Sequence, residues 1–279
     1  MKKILNTLIV GVALITLAAC GGTNETATSG TASKTGNQLE AIKEKGEIVV
    51  GTSADFAPFE FHAMIDGKDT VVGADIDMMN EIGKELGVNV KVTDMDFDAI
   101  LAALEQGQVD VAVAGISATE ERKQSFDFSE NYFVPEQKIL VKKDSVAELN
   151  SVDSLDGKKV GAQKGSIQET VVKDQLTDSQ LVSLPKVPNL IVELQQGSID
   201  ALVLESAVAD SYAAQNDDIV VADVELESSD DDAYAIVLPK GSTELQEVLN
   251  EQIKAMQENG QLDEFLQKNT DLANENASK

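Results

Sequence analysis

One short phrase occurs twice in this chain, and it restricts the possible folds more than any other feature of the sequence. Leu104-Glu-Gln-Gly-Gln-Val-Asp110 returns later as Leu194-Gln-Gln-Gly-Ser-Ile-Asp200, and a mainly apolar run follows each aspartate, at 111–115 and at 201–205. A helix end, a glycine stop and a strand apolar on both faces are typical of a parallel sheet covered by helices. The phrase is also a common helix-to-strand connection, so its recurrence need not reflect internal duplication.

The residues around each copy repeat the same alternation of strands and helices. Hydrophobic periodicity and glycine stops predict, around the first copy, strands at 47–51, 88–92 and 109–114 and helices at 75–86 and 97–106. Around the second copy they predict strands at 159–163, 181–184, 199–204 and 219–222 and helices at 166–176, 190–196 and 207–214. A strand at 233–239 and a helical region at 244–268, broken at Asn259-Gly260, follow. This order predicts two open, mainly parallel α/β units.

The element order also predicts two lobes with two crossings between them. If the last strand and helices pack on the first unit, lobe 1 comprises residues 39–133 and 233–279, and lobe 2 comprises residues 134–232. The chain then crosses near Tyr132-Phe133-Val134-Pro135 and again at 232–236. Two extended crossings suit a hinge, because a few residues then absorb the rotation of one lobe against the other.

Residues 1–19 have the pattern of a lipoprotein signal and are not expected to belong to the fold. Lys2-Lys3 precede an apolar stretch at 4–17 that is shorter than the ~20 residues of a membrane helix, and Leu17-Ala-Ala-Cys20 closes it. Cleavage would leave Cys20 as a lipidated N-terminus, followed by a polar tether that ends at Gln38. We expect an extracytoplasmic protein anchored to the cell membrane. An ordinary signal with a chance cysteine is the alternative.

The composition argues against several classes of function. Cys20 is the only cysteine, so no disulfide forms within the chain. His62 is the only histidine and lies in a polar stretch predicted as a loop, so a Ser-His or Cys-His catalytic site would have to use it. The net charge of −27 becomes −29 once Lys2 and Lys3 leave with the signal, which argues against a nucleic-acid partner. We expect no metal and no cofactor.

The end of the first repeated strand predicts one half of a ligand site. Ligands of open α/β sheets bind beyond the carboxyl ends of the strands, where Gly115, Ser117 and Arg122 follow the first copy. A helix start and a guanidinium together suit a carboxylate. Another role for Ser117 is a capping box with Glu120, and both roles can hold together.

The end of the second repeated strand predicts the opposite half. Glu205 follows an apolar strand, and its carboxylate must meet solvent, a partner or a cation, because burying it unpaired is costly. If the lobes face each other, Glu205 complements an ammonium opposite Arg122. One acidic and one basic pole match the zwitterion of an α-amino acid. Phe56 and Phe97 lie near strand ends and would flank the ligand side chain or belong to the ordinary core.

Motifs in both lobes carry a resemblance to a known family. They are residues 51–60 (GTSADFAPFE), 72–77 (VGADID), 114–122 (AGISATEER), 126–129 (FDFS), 160–166 (VGAQKGS) and 238–241 (LPKG). From residue 39 to residue 268 the chain resembles the polar amino acid binding proteins of ABC importers, family 3 of the extracellular solute-binding proteins, in lipoprotein form. The resemblance implies a two-lobed periplasmic-binding-protein-like fold of type II, with two open mixed sheets joined by a two-strand hinge.

The resemblance also implies a set of ligand contacts. They are Phe56 and Phe97 beside the ligand side chain, Gly115, Ser117 and Arg122 at its carboxylate, Ser166 as a hydroxyl from the second lobe, and Glu205 at its α-ammonium. Glu205 is longer than the aspartate common at its position, which could narrow the pocket.

One departure from the family pattern bears on the identity of the ligand. Several relatives that bind basic amino acids or glutamine carry aspartate in place of Ser53, and Asp55, Glu60 or Gln163 could replace that contact. We expect a polar or basic ligand such as arginine, lysine or glutamine, passed by a monomeric, non-catalytic receptor to the permease and ATPase of an importer. The alternatives are an enzyme like cyclohexadienyl dehydratase, with Glu205 as its acid or base, and a ligand-sensing surface domain.

Overall fold

The computed structural model describes residues 38–277 of the chain. The signal at 1–19, Cys20 and the tether up to residue 37 lie outside the described residues. Gln38, predicted as the end of the tether, instead lies in the first helix, where its side chain donates to the backbone oxygen of Asp110 at 2.8 Å. Within residues 38–277, none of the helices has the length and apolar character needed to span a membrane.

Helices and strands alternate along most of the described chain. The helices are α1 Gln38–Lys45, α2 Ala74–Leu86, α3 Phe97–Glu105, α4 Glu120–Lys123, α5 Gln168–Gln175, α6 Val187–Gln196, α7 Ser206–Gln215, α8 Thr243–Glu258 and α9 Gln261–Ala277. The strands are β1 Glu47–Thr52, β2 Asp55–Phe56, β3 Glu60–Ile65, β4 Lys68–Val72, β5 Asn89–Asp94, β6 Val111–Ala112, β7 Phe126–Phe128, β8 Gln137–Lys142, β9 Lys159–Gln163, β10 Gln180–Leu184, β11 Ala201–Glu205, β12 Ile219–Ala222 and β13 Val237–Pro239.

Two five-stranded sheets follow one plan. The first sheet has the order β5-β1-β6-β13-β7, and the second has the order β10-β9-β11-β8-β12. In each, the first three strands are parallel and the last two pair antiparallel. We call each sheet with its covering helices a lobe. The predicted pair of open α/β units is confirmed, and the repeated phrase leads into the central strand of each sheet.

The aspartate of each repeated phrase joins two strands in the same way. Val49 donates its backbone N–H to Asp110 Oδ2 at 2.8 Å, while the Asp110 N–H donates to the Val49 oxygen at 2.8 Å. Lys159 and Asp200 exchange the same two bonds, each at 2.8 Å. In each lobe the aspartate carboxylate accepts a backbone N–H of the neighbouring strand, β1 or β9, that would otherwise lack a partner. The shared phrase therefore fixes β6 against β1 in the first lobe and β11 against β9 in the second.

The glycine of each phrase ends a helix. Gly107 and Gly197 have φ of 66° and 74°, and their N–H groups donate to the oxygens of Leu104 and Leu194. A residue with a Cβ adopts this left-handed conformation only at a cost, which explains a glycine at both positions. The chain then reverses direction and enters the buried strand.

The core of each lobe lies on both faces of its sheet. In β1, Ile48 and Val50 pack towards α2 and α8, while Val49 packs towards Ile100 and Leu104 of α3. In β11, alternate residues likewise face α6 on one side and α5 on the other. Each fully buried side chain of this size stabilises the fold by about 1.5–3 kcal/mol. Strands buried on both faces explain why the two runs after the aspartates are apolar throughout.

Two paired segments connect the lobes. The chain leaves the first sheet after β7 and enters the second at β8, and it returns between β12 and β13. Tyr132 donates its N–H to the oxygen of Tyr234 at 2.9 Å, and Tyr234 donates its N–H to the oxygen of Phe133 at 2.8 Å. The two crossings thus lie side by side as antiparallel backbone, as a two-strand hinge requires.

The predictions around His62 and at 109–114 are wrong. His62 lies on β3 of a hairpin and not in a loop, because Asp66-Gly67, with φ of 51° and 76°, form a tight turn that joins β3 to β4. The strand expected at 109–114 is reduced to Val111–Ala112, although all its apolar residues are buried. Only residues 111 and 112 of this run pair in register with β1. The break at Asn259-Gly260 is confirmed, since α8 ends before it and α9 begins after it.

Candidate functional site

A narrow pocket with a free volume of about 10 Å³ lies between the lobes, where the runs after the two repeated aspartates end. A free volume of that size holds about one water molecule, so the lining side chains nearly fill the pocket in this structure. Its lining includes eight of the nine predicted ligand residues: Phe56, Phe97, Gly115, Ser117, Arg122, Gln163, Ser166 and Glu205. Ala114, Ile167 and Gln168 complete the lining.

Ser53 is the predicted residue that the lining does not include. It is buried, and its hydroxyl donates to Asp55 Oδ1 at 3.3 Å. Its hydroxyl is therefore directed to a carboxylate of its own lobe.

Gly115 forms a wall of the cavity that tolerates no side chain. Its φ is 56°, and an added Cβ would lie 3.0 Å from the ring of Phe56 and 3.3 Å from the ring of Tyr234. The backbone N–H of Gly115 donates to Asp75 Oδ2 at 3.4 Å. Gly115 thus lets the rings of Phe56 and Tyr234 pack against the backbone at the end of the first repeated run.

Ser117 does not cap the helix that follows it, so the predicted capping box with Glu120 is wrong. Thr119 is the N-cap of α4, and its hydroxyl oxygen accepts from the N–H of Arg122 at 3.3 Å. The hydroxyl of Ser117 instead donates to the backbone oxygen of Asp232, beside the second crossing, at 3.0 Å. Because α4 begins at Glu120, its N-cap position falls on Thr119 and not on Ser117.

Arg122 reaches across the cleft from the first lobe. Its Nη1 donates to the oxygen of Ser117 at 2.9 Å, and its Nη2 donates to the oxygen of Gly165, in the second lobe, at 3.0 Å. Burial lowers the pKa of Arg122, which the carboxylates of Glu121 and Glu205 oppose, and the side chain remains a cation. A guanidinium carries five N–H donors, so these two bonds leave it able to bind a carboxylate.

Glu205 forms the acidic end of the cavity from the second lobe. It is 2% exposed, and its Oε1 accepts from Gln168 Nε2 at 2.5 Å. Its Oε2 is buried without a hydrogen-bond partner among the described residues. Burial raises the pKa of Glu205 from its usual 4.5 to about 7, while the Gln168 bond and the charge of Arg122 oppose that rise. An unpaired buried carboxylate oxygen is costly, so a cationic ligand here would gain strongly.

Gln168 is a functional residue that sequence reasoning missed. Besides holding Glu205, its amide donates to Gln137 Oε1 at 3.0 Å, and Gln137 Nε2 lies 3.5 Å from Asp232 Oδ2. The chain of amides fixes which oxygen of Glu205 faces the cavity. Its position in the sequence could have indicated this role. Gln168 is the first residue of α5 and follows the predicted ligand residue Ser166 by two positions.

Gln163 and Ser166 form the rest of the second-lobe wall. The Ser166 hydroxyl donates to the oxygen of Gln163 at 2.7 Å. Gln163 Nε2 donates to the oxygen of Pro185 at 3.1 Å and lies 3.4 Å from Asp55 Oδ1. Gln163 therefore connects the cavity lining to the carboxylate of Asp55 in the other lobe.

The arrangement opposes one cation and one anion across a small closed space. Arg122 comes from the first lobe and Glu205 from the second, and each is placed by a run that the repeated phrase introduces. Among residues 38–277, no group of three or more His, Cys, Asp or Glu side chains is arranged to hold a metal ion. The site is suited to a ligand that carries a carboxylate at one end and an ammonium at the other.

Comparison with known families agrees with a site for an amino acid. The model of the bacterial extracellular solute-binding proteins, family 3, matches residues 48–271. This chain belongs to that family. Its architecture, two mixed sheets joined by two crossings, is that of the type II periplasmic binding proteins, so the expected fold class is confirmed.

Individual relatives of this solute-binding protein carry amino acid ligands in their names. It is 34% identical over 273 residues to the arginine-binding extracellular protein ArtP of Bacillus subtilis, covering 96% of this chain and 98% of ArtP. A crystal structure of an amino acid ABC transporter substrate-binding protein from Streptococcus pneumoniae, bound to L-arginine, is 45% identical, with a TM-score of 0.83, covering 85% of this chain and 98% of that one.

A third relative relates to the enzyme alternative. It is an ancestral amino acid-binding protein described as a precursor of cyclohexadienyl dehydratase, 33% identical, with a TM-score of 0.75, covering 83% of this chain and 99% of that one. It is itself an amino acid-binding protein, as are the other two relatives. The resemblance to amino acid binding proteins of ABC importers is thereby confirmed.

Proposed function

We propose that this chain is the extracytoplasmic receptor of an amino acid ABC importer and that it binds a basic amino acid, with L-arginine as its first ligand. The observation that carries the proposal is the unpaired, buried Oε2 of Glu205 in a cavity that Arg122 also lines. The lobes that close on the ligand are residues 39–133 with 233–279 and residues 134–232. The arginine-bound relative at 45% identity supports this ligand over other amino acids.

The proposed ligand lies with its two charged ends on opposite walls. Its α-carboxylate pairs with the guanidinium of Arg122, and its α-ammonium pairs with Glu205 Oε2. Its side chain extends past Phe56 and Phe97 towards Gln163. A cationic side chain is favoured there because the Asp55 carboxylate lies 3.4 Å from Gln163 Nε2.

An enzyme of the dehydratase type is the second candidate function. Glu205 supports it, because a buried carboxyl with a pKa of about 7 is suited to acid or base chemistry near neutral pH. Receptor function is favoured because the unpaired oxygen of Glu205 and the cation of Arg122 match the two ends of an amino acid. Turnover of prephenate or arogenate by the purified protein would overturn that preference.

A screen of ligands tests the proposed function directly. The full mature chain is heated with each standard amino acid in turn, and each shift in melting temperature is followed by calorimetry. A ligand at a hundred times its Kd stabilises the folded state by about 2.7 kcal/mol. We expect the largest shift for L-arginine, smaller shifts for lysine and glutamine, and none for glutamate. The absence of a shift with every amino acid would contradict the proposal.

We further propose that Cys20 carries a lipid and that the receptor works beside the permease and ATPase as a monomer held at the cell membrane. Mass spectrometry of the protein extracted from cells that express it tests the anchor. The expected product begins at Cys20 with a diacylglycerol mass added, and Cys20→Ala should release the protein from the membrane fraction. An unmodified Cys20 in the wild-type protein would contradict this part of the proposal.

A further inference from the structure

A lysine outside the cavity reaches from the second lobe into an acidic edge of the first. Lys186 lies between β10 and α6, and its Nζ donates to the backbone oxygen of Met95 at 3.2 Å. The same ammonium lies 3.5 Å from Asp96 Oδ1 and 3.7 Å from Asp94 Oδ1. The Oδ2 of a third first-lobe carboxylate, Asp55, is 4.0 Å away. One cation of the second lobe therefore faces three anions of the first.

Asp55 takes most of its partners from the opposite lobe. It is 8% exposed, and its Oδ2 accepts from the N–H of Val187, the first residue of α6, at 3.3 Å. Helix α6 has no side-chain cap of its own, since Lys186 stands at its N-cap, and its first turn contains no acidic residue. The positive end of α6 is thus complemented across the cleft by Asp55, and this bond exists only while the lobes are together.

When the lobes close, the buried negative charge of Asp55 requires a nearby positive charge. Burial raises the pKa of Asp55 to about 6, and Lys186 is the strongest influence that opposes this rise, followed by the bond from Val187. Asp94 acts in the opposite sense and adds to the repulsion. His62 contacts Asp94 at 3.4 Å, but it belongs to the same lobe and cannot hold the two lobes together. The three carboxylates all belong to the first lobe, so without Lys186 closure would bury them with less compensation.

We infer that Lys186 is a positioning residue for ligand retention, holding the closed lobes together from outside the ligand cavity by its contacts with Met95, Asp94, Asp96 and Asp55. The inference rests on the proposed function, because retention presupposes a ligand. Its consequence is kinetic. Loss of Lys186 leaves every cavity-lining residue in place but speeds the opening that releases the ligand.

Release kinetics test the inference, with Lys186→Met as the variant. The matched control is Lys138→Met, which removes an equal charge from the same lobe, since Lys138 pairs within that lobe with Glu136 at 2.8 Å. The dissociation rate of L-arginine is measured by stopped-flow competition and the association rate by concentration dependence. We expect the dissociation rate of Lys186→Met to rise about tenfold or more with an association rate within about threefold of wild type. Lys186→Arg should restore slow release.

Other outcomes separate this inference from the proposed function. Equal dissociation rates for Lys186→Met and Lys138→Met would overturn the role of Lys186, even if arginine binds tightly to both. If wild type binds no amino acid, the proposed function fails. Small-angle scattering of the ligand-free full chain then tests the closing role of Lys186 by itself. A larger radius of gyration for Lys186→Met than for Lys138→Met would support the closing role, and equal radii would overturn it.

Discussion

The two copies of the repeated phrase are alike in structure and opposite in chemistry at their ends. Asp110 and Asp200 make the same pair of 2.8 Å bonds, and Gly107 and Gly197 end their helices in the same conformation. Beyond the aspartates, the first run ends at a bare glycine that leads to a guanidinium, whereas the second ends at a buried carboxylate. Each copy therefore contributes the same scaffold and a different pole of the cavity.

This difference teaches that ligand chemistry can be assigned independently of scaffold chemistry. Substitutions in the shared part should change the stability of both lobes in the same way. Substitutions in the divergent part should change ligand affinity. Those at Arg122 should weaken the binding of the ligand carboxylate, and those at Glu205 the binding of its ammonium. Four changes test this division.

Removal of the basic pole should have the largest effect. Arg122→Ala leaves the α-carboxylate of the ligand without its partner in a closed cleft, where such a loss typically costs 2–5 kcal/mol. We expect calorimetry with L-arginine to show an affinity at least a hundredfold weaker. The adjacent Lys123→Ala is the control, since Lys123 pairs with Glu120 on the surface at 2.8 Å. Unchanged affinity of Arg122→Ala would remove Arg122 from the site.

Removal of the acidic pole should cost slightly less and should also change the pH dependence. Because burial raises the pKa of Glu205 to about 7, the carboxyl of the unliganded site is partly protonated near neutral pH. Only the ionised form pairs with an ammonium, so the affinity of wild type should be complete above pH 7 and fall as the pH drops below it, by up to tenfold per pH unit. Glu205→Gln should lower affinity by about 2–3 kcal/mol at pH 8 and remove the pH dependence.

The same raised pKa predicts an opposite effect on stability. The folded state binds the proton more tightly than the unfolded state, so the ionised form costs free energy in the folded, unliganded protein. Stability from this group is therefore greatest at low pH and is lost as the pH rises through about 7. Glu205→Gln should raise the melting temperature of the ligand-free protein at pH 8 and change it little at pH 5. A lower melting temperature at pH 8 would contradict the unpaired state of Glu205.

Adding a side chain at Gly115 should have an intermediate effect on ligand affinity. Gly115→Ala forces a left-handed φ on alanine and brings its Cβ to 3.0 Å from Phe56, at a cost of about 1–3 kcal/mol. Part of that cost should appear in the free energy of unfolding and part in ligand affinity, because the Cβ would displace a ring that lines the cavity. Gly107→Ala is the control: it is also left-handed, but nothing lies within 4 Å of its added Cβ, so it should lower stability alone.

Changes in the shared scaffold should have the smallest effect on binding. Asp110→Ala and Asp200→Ala each leave a strand N–H without its acceptor, at a cost of about 1–3 kcal/mol. We expect similar losses in urea unfolding for both and arginine affinity within about threefold of wild type. A loss of affinity specific to one copy would break the division between scaffold and poles.

Much of the fold could be predicted because its signals are local. The glycine stops, the apolar runs and the periodicity of the helices each lie within a few residues, and they indicated both sheets and both poles. The order of the elements predicted the two crossings of the hinge, and the resemblance motifs added the mixed sheets. The Asp66-Gly67 turn was also a local signal, and it was overlooked in favour of a polar loop around His62.

The features that could not be predicted depend on partners far away in the sequence. Gln168 acts through Glu205, 37 residues later, and Asp55 meets Val187 only across the closed cleft, 132 residues away. Thr119 replaced Ser117 as the helix cap because Ser117 is drawn to the second crossing by Asp232. In each case a partner that is distant in the sequence selects among residues that are equally suitable locally.

The central claim is that Arg122 and Glu205 bind the two ends of one α-amino acid. Calorimetry of the wild-type protein with L-arginine, with agmatine, which lacks the carboxylate, and with Nα-acetyl-L-arginine, which lacks the ammonium, tests it most directly. The account predicts tight binding of L-arginine and losses of a hundredfold or more for both analogues. Binding of either analogue as tightly as L-arginine would contradict it.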